Sequence, residues 1–146
     1  MSATIIAAID LSPPSERVVE HAAQLARAFQ GRLYIIHVAA PDPEFVGLEV
    51  GPAHVRDQRA AELREEHARL HQMAASLRAQ GVDAEALLVQ GPTVETLLQE
   101  VVRLNAQHLV TGSHGRTGLM SVLMGSVCAQ LLREVKVPIT IIPMAR

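Results

Sequence analysis

Thr4-Ile5-Ile6-Ala7-Ala8-Ile9-Asp10 is the stretch that decides the fold class. Residues 4–9 are apolar without a break and rich in β-branched side chains, and a carboxylate closes the run. A strand with one wet face alternates apolar and polar residues, whereas an unbroken run suits a parallel strand covered by helices on both sides. Downstream, Ser12-Pro13 offers a helix cap and a first-turn proline, after which Val18, Ala22, Leu25 and Phe29 recur at helical spacing until Gly31. Leu33-Tyr34-Ile35-Ile36-His37-Val38 then reads as a second buried strand. Residues 39–54, with three prolines and two glycines, read as a loop.

The same grammar continues to the end of the chain. A long amphipathic helix is predicted from Val55 to Gln80, with Leu63, His67, Leu70, Ala74 and Leu77 on its inner stripe and Gly81 as its stop. Asp83 to Val89 is a third strand that places Ala84, Ala86 and Leu88 on one face. Gly91-Pro92 opens a helix carrying Val94, Leu97, Leu98, Val101 and Leu104, which leads to the short strand Leu109-Val110-Thr111. A last helix holds Val127 and Leu131, and Val137 to Ile142 is the last strand. Strict alternation of strand and helix predicts an α/β fold, an open five-stranded parallel sheet with right-handed crossovers and helices on both faces. Ligands of such sheets bind beyond the carboxyl ends of the strands, where the strand order reverses.

A chain of 146 residues suits one domain over 1–146, since that length hides roughly 70% of the surface of the unfolded chain. Aromatic residues make up only 2% of the composition, so packing falls to aliphatic side chains. The formal charge is −2 and Lys136 is the sole lysine, which leaves no basic stripe for nucleic acid. A lone cysteine, Cys128, allows no internal disulfide and fits a reducing compartment. No apolar run reaches the length of a signal peptide or of a membrane span, so the expectation is a cytoplasmic protein without a membrane partner.

The unusual chemistry sits after the fourth strand, in Thr111-Gly112-Ser113-His114-Gly115-Arg116-Thr117-Gly118, followed by Gly125-Ser126 at the start of the last helix. Glycine corners let backbone N–H groups approach a ligand closely, and a helix amino end favours anions. Taken alone, glycines after a strand more often form ordinary turns than anion sites. A Walker A loop, Gly-x4-Gly-Lys-Ser/Thr, is absent, and the region lacks a lysine to follow charge onto a leaving phosphate.

The spacing Gly112-x2-Gly115-x9-Gly125-Ser126 closely resembles the nucleotide signature of the universal stress protein family. Ala7-Ala8-Ile9-Asp10-Leu11-Ser12, His37-Val38, Val110 to Gly115 and Val137-Pro138-Ile139-Thr140-Ile141-Ile142 also look like family segments, so the resemblance covers the whole chain. It implies strand order 3-2-1-4-5, a homodimer through the C-terminal strand, and ATP or a related adenine nucleotide lying across strands 1 and 4. Magnesium would be held through the phosphates. By the same resemblance Asp10 meets the ribose or the adenine edge, Ala8 and Val38 line the base pocket, and Thr111 and Gly112 border base and ribose. His114, Gly115, Gly125, Ser126 and Val127 surround the phosphates, chiefly through backbone N–H groups. Arg116 either neutralises a terminal phosphate or lies in solvent. The chain departs from the family at Gln107, where an acid is usual, and at His108, where an aliphatic residue is common; both bear on local packing alone. With strands 1 and 4 adjacent, Asp10 and Gly112 fall on opposite lips of the crevice. Asp10 has a second reading, as a capping acid for the first helix.

Other residues carry weaker signals. His67 and His71 have the i,i+4 spacing of zinc ligands but lack a third ligand and the glutamate of a metalloprotease, so surface histidines are expected and no metal site. His114 has no acid partner by spacing, which leaves no catalytic residue to assign. Cys128 reads as a small buried hydrophobe, and Met120 and Met124 as filling beneath the nucleotide or within the core. The resulting expectation is a nucleotide-responsive stress or regulatory factor that acts on an unidentified protein partner. The alternatives are a nucleotide-free dimeric scaffold or chaperone-like protein, and a weak ATPase or nucleotide-dependent enzyme.

Overall fold

A computed structural model describes residues 2–39, 53–113 and 125–144, with backbone alone at 53–55. Five strands, β1 (Thr4–Ile9), β2 (Arg32–Ala39), β3 (Asp83–Gln90), β4 (His108–Gly112) and β5 (Ile139–Ile142), alternate with four helices. These are α1 (Ser15–Ala28), α2 (Ala53–Ala79), α3 (Thr93–Arg103) and α4 (Ser126–Glu134). The strands form one sheet in the order β3-β2-β1-β4-β5, and every neighbouring pair is parallel. Order and class are those expected from the sequence.

The two-residue period of a strand sorts the core. Ile5, Ala7, Ile9, Leu33, Ile35 and Val110 pack under α1 and α2, while Ile6, Ala8, Ile36, Val38 and Leu109 pack under α3 and α4. Each fully buried Ile or Leu contributes about 1.5–3 kcal/mol by leaving water, and β1, buried on both faces, supplies several. That is why its sequence runs apolar without alternation.

Most element ends differ from expectation by a residue or two, and a few of the differences have a visible physical cause. α1 begins at Ser15 with Pro14 as its cap residue and no side-chain cap, because Ser12 and Pro13 lie in a preceding turn closed on Asp10. Gln30, not Gly31, takes the left-handed conformation after α1, at φ 51°. Gly31 is needed for a different reason: a Cβ there would collide with the Ala3 carbonyl, which accepts the Arg32 N–H at 2.7 Å. The inner stripe of α2 is confined to its second half, where Leu70, Ala74 and Leu77 are buried while His67 is exposed. β5 starts two residues late, at Ile139, although pairing already begins where the Pro138 carbonyl accepts the Leu109 N–H at 3.0 Å.

At the amino ends of the strands Gln107 ties β4 to β1. Its N–H donates to the Thr4 carbonyl at 2.9 Å, and its side-chain Oε1 accepts the Thr4 N–H at 2.5 Å. The departure from the family acid is thus a local packing device.

Candidate functional site

At the opposite end of the sheet, beyond the carboxyl ends of β1, β2 and β4, lies a cavity of about 360 Å³. Ala8, Asp10, Val38, Thr111, Gly112, Gly125, Ser126 and Val127 all line it. His114 and Gly115 lie outside the described residues, as do Arg116, Met120 and Met124. The register pairs Ala8 with Thr111, which sets Asp10 and Gly112 on facing lips across the β1–β4 boundary. One wall is apolar, built from Ala8, Ile36, Val38 and Leu97; the far side is the start of α4.

The β1 lip is a tightly tied turn. Asp10 Oδ1 accepts hydrogen bonds from the Ser12 N–H (3.0 Å), the Ser12 hydroxyl (2.5 Å) and the Ser15 hydroxyl (3.0 Å). Asp10 therefore ties the turn that precedes α1 while it lines the cavity, and among the described residues it accepts no N–H of the helix itself, whose cap residue is Pro14. Between Asp10 and Ser12, buried Leu11 holds φ 63°, a left-handed conformation that a leucine rarely adopts. The Leu11 carbonyl accepts a hydrogen bond from Arg69 of α2 at 2.7 Å. One residue earlier, the Ile9 carbonyl lies 3.0 Å from Nδ1 of buried His37. A carbonyl can only accept, so Nδ1 carries the proton, and Nε2 faces Oε2 of Glu66 on α2 at 3.5 Å.

The other lip joins β4, α4 and the chain after β5. Ser113 donates its N–H to the Ile142 carbonyl (2.9 Å), and its carbonyl accepts the Gly125 N–H (2.8 Å). Its hydroxyl accepts the Met144 N–H at 2.9 Å, which holds Met144 against Gly112, where an added Cβ would run into the thioether. Gly125 has φ −62° and ψ 159°, an extended conformation open to any residue, so its use does not depend on positive φ. Among the described residues no side chain caps α4, and a backbone bond runs from the Ala129 N–H to the Gly125 carbonyl at 3.0 Å. The N–H groups of Ser126 and Val127 precede that bond and are donors of the kind a helix amino end offers to anions.

Sequence reasoning missed over half of the lining, notably Ile36 and His37 of β2, Ser12 and Ser15 near Asp10, and Thr93, Leu97, Cys128 and Met144. Leu97 and Thr93 had been legible only as helix positions, and Met144 follows the last strand with no motif around it. Cys128 is buried as expected, and burial raises its thiol pKa, which disfavours the reactive thiolate. Away from the cavity, the His67 and His71 rings lie 4.1 Å apart, and among the described residues no group of three or more His, Cys, Asp or Glu is placed to hold a metal. His108 Nε2 meets the Thr140 hydroxyl at 2.6 Å. Burial, reinforced by nearby His21, lowers its pKa.

Comparison with known proteins places these features in context. The model of the universal stress protein family matches residues 1–143. The universal stress protein YxiE of Bacillus subtilis is 27% identical over 143 residues, covering 94% of this chain and 97% of that protein. Universal stress protein UspA from Lactobacillus plantarum has the same fold at a TM-score of 0.81 and 15% identity, over 96% of this chain and 97% of that one. The crystal structure of a universal stress protein in complex with cAMP aligns at a TM-score of 0.72 and 25% identity, over 99% and 98% of the two chains. Two further family structures share the fold at a TM-score of 0.69. The Arabidopsis thaliana protein with AMP bound is 20% identical, over 98% and 92% of the chains. The Archaeoglobus fulgidus protein in complex with dAMP is 19% identical, over 97% and 98%. Among the described residues, no helix is long and apolar enough to cross a membrane.

Proposed function

The chain belongs to the universal stress protein family, and from that membership we propose that it is a cytosolic stress-response or regulatory factor that binds an adenine nucleotide, foremost ATP, in the β1–β4 cavity. The observation that carries this reading is one cavity bounded by an apolar slot and by the start of a helix. Ala8, Ile36, Val38 and Leu97 offer a flat base an apolar berth. Ser126, Val127 and the adjoining backbone N–H groups suit phosphate oxygens. Asp10 and Thr111 share the same lining and would meet the ribose. Structures of family proteins with cAMP, AMP and dAMP support the choice of ligand class.

The chemistry favours holding a nucleotide over turning it over. No lysine lines the cavity, and its acid among the described residues is Asp10, whose Oδ1 serves three hydroxyl and amide donors. Backbone donors hold a ground-state phosphate without following charge onto a leaving group. Magnesium would come with the phosphates, which need few protein ligands to retain it.

A homodimer through β5 belongs to the same proposal. β5 is an edge strand, and the carbonyls of Pro138 and Ile142 face β4, so the alternate residues Ile139 and Ile141 turn their backbone groups outward. Mass spectrometry of ligand released from the purified protein, with calorimetric titration of ATP, AMP and cAMP, tests the binding reading. Absence of any co-purified nucleotide together with no binding heat at millimolar ligand would leave the nucleotide-free scaffold as the better account.

A further inference from the structure

No described residue of α2 lines the cavity, yet α2 grips the cavity's β1 lip from behind. Glu66 and Arg69 sit three residues apart on α2, hence side by side on one helix face. Arg69 donates to the Leu11 carbonyl at 2.7 Å, and His37 Nδ1 holds the Ile9 carbonyl at 3.0 Å, while Glu66 Oε2, which makes no hydrogen bond among the described residues, lies 3.5 Å from His37 Nε2 and pairs with it only when the ring carries both protons. The two carbonyls so held flank Asp10 on either side in sequence. Leu11, at φ 63°, is in a backbone state that relaxes toward negative φ unless its surroundings prevent it. A relaxation there would turn the Leu11–Ser12 peptide, withdraw the Ser12 N–H from Asp10 Oδ1 and re-aim the carboxylate.

We propose that Glu66 and Arg69 are positioning residues for nucleotide binding. Through them α2 sets the β1 lip, so that the position of α2 and the occupancy of the cavity are energetically coupled, each favouring the other. The proposal rests on the adenine-nucleotide reading given above. It assigns to α2 a role that its absence from the lining would otherwise conceal.

A control tether exists on the same helix: Arg78 donates to the Ala84 carbonyl at 2.8 Å near the start of β3, away from the cavity. The test is ATP titration calorimetry and thermal melting on wild type, Arg69→Met, Arg69→Lys, Glu66→Gln and Arg78→Met, with amide exchange of Ser12 in the ligand-free proteins. Arg69→Met is expected to weaken ATP binding by about tenfold and to speed Ser12 exchange, with Arg69→Lys recovering most of both. Glu66→Gln should fall between wild type and Arg69→Met. Arg78→Met should leave affinity within about twofold and Ser12 protection intact, even where its melting temperature falls as far. Equal behaviour of Arg69→Met and Arg78→Met in affinity and exchange overturns the proposal. Should Arg69→Met not fold, Arg69→Gln takes its place, and wild-type affinity and Ser12 protection in Arg69→Gln overturn it. Should wild type bind no nucleotide, the binding reading fails by itself, and Ser12 exchange alone then judges the tether, with unchanged protection in Arg69→Met counting against it.

Discussion

Replacing Asp10 with alanine removes the carboxylate, whose Oδ1 accepts three hydrogen bonds, two from Ser12 and one from Ser15. A hydrogen bond to a charged group contributes roughly 1.5–3 kcal/mol, but three donors on one oxygen act as a unit and do not add. The Ser15 residue is only 3% exposed, so its hydroxyl would lose its strong acceptor in a nearly dry site and keep only the Ser12 oxygen at 3.5 Å. Leu11 would also lose part of what holds its positive φ. A net destabilisation of about 2–3 kcal/mol follows, or roughly 5–10 °C in Tm for a domain of this size. Asp10→Asn keeps a carbonyl acceptor in the same place and should cost about 1 kcal/mol. Nucleotide affinity, measured calorimetrically below the melting transition, should fall more than about tenfold for Asp10→Ala and less for Asp10→Asn. Phosphate release at saturating ATP and magnesium should stay below about 1 s⁻¹ in wild type and change less than affinity does. An Asp10→Ala protein that melts like wild type would refute the argument that this carboxylate ties the turn. One that binds ATP normally yet cannot turn it over would make Asp10 part of a catalytic apparatus and defeat the binding-protein reading.

Gly125→Val should fold, because φ −62° and ψ 159° suit valine, at a cost of about 1 kcal/mol for the poorer cap residue. Circular dichroism should confirm the fold, while calorimetry should show ATP affinity reduced by about tenfold as the side chain intrudes on the phosphates; unchanged affinity would remove Gly125 from the cradle. Light scattering should report a dimer for wild type, and Ile141→Pro, which deletes an outward-facing N–H without touching the β4 ladder, should report a monomer. A wild-type monomer at millimolar concentration would end the dimer proposal. Because His108 has a lowered pKa in the fold, the unfolded chain binds its proton more readily. Its neutral form is fully compatible with the fold above about pH 6.5, and the stability tied to it is lost as pH falls through the folded value. Between about pH 7.5 and pH 5 the Tm of wild type should therefore fall more steeply than that of His108→Leu; parallel slopes would contradict the assignment.

Much of the fold was legible because burial on two faces leaves a plain mark. Thr4–Ile9 was read to the residue, since six apolar side chains ended by Asp10 admit one account. Helix ends were read less well. Ser12-Pro13 looks like a cap and first turn, but Asp10 captures Ser12 first, and such a side-chain competition has no periodicity to betray it. The inner stripe of α2 was overextended because Leu63 and His67 keep the helical spacing although Leu63 is only half-buried and His67 exposed. At the cavity, glycine spacing and family resemblance named residues that share one lining. Contributions from Leu97, Cys128 and Met144 were hidden because apolar residues at ordinary positions carry no local signal of what they face. The tethers from Glu66 and Arg69 were hidden more deeply, being charged residues on a charged helix.

The Gly31–Ala3 and Gln107–Thr4 contacts stand at one pole of the sheet and the cavity at the other, since every strand runs in the same direction. A lineage carrying this architecture can adjust thermal tolerance by substitutions at the amino pole without rewriting what the carboxyl pole recognises. Parallel strands thus give two pressures that often conflict in small proteins separate addresses on the same molecule.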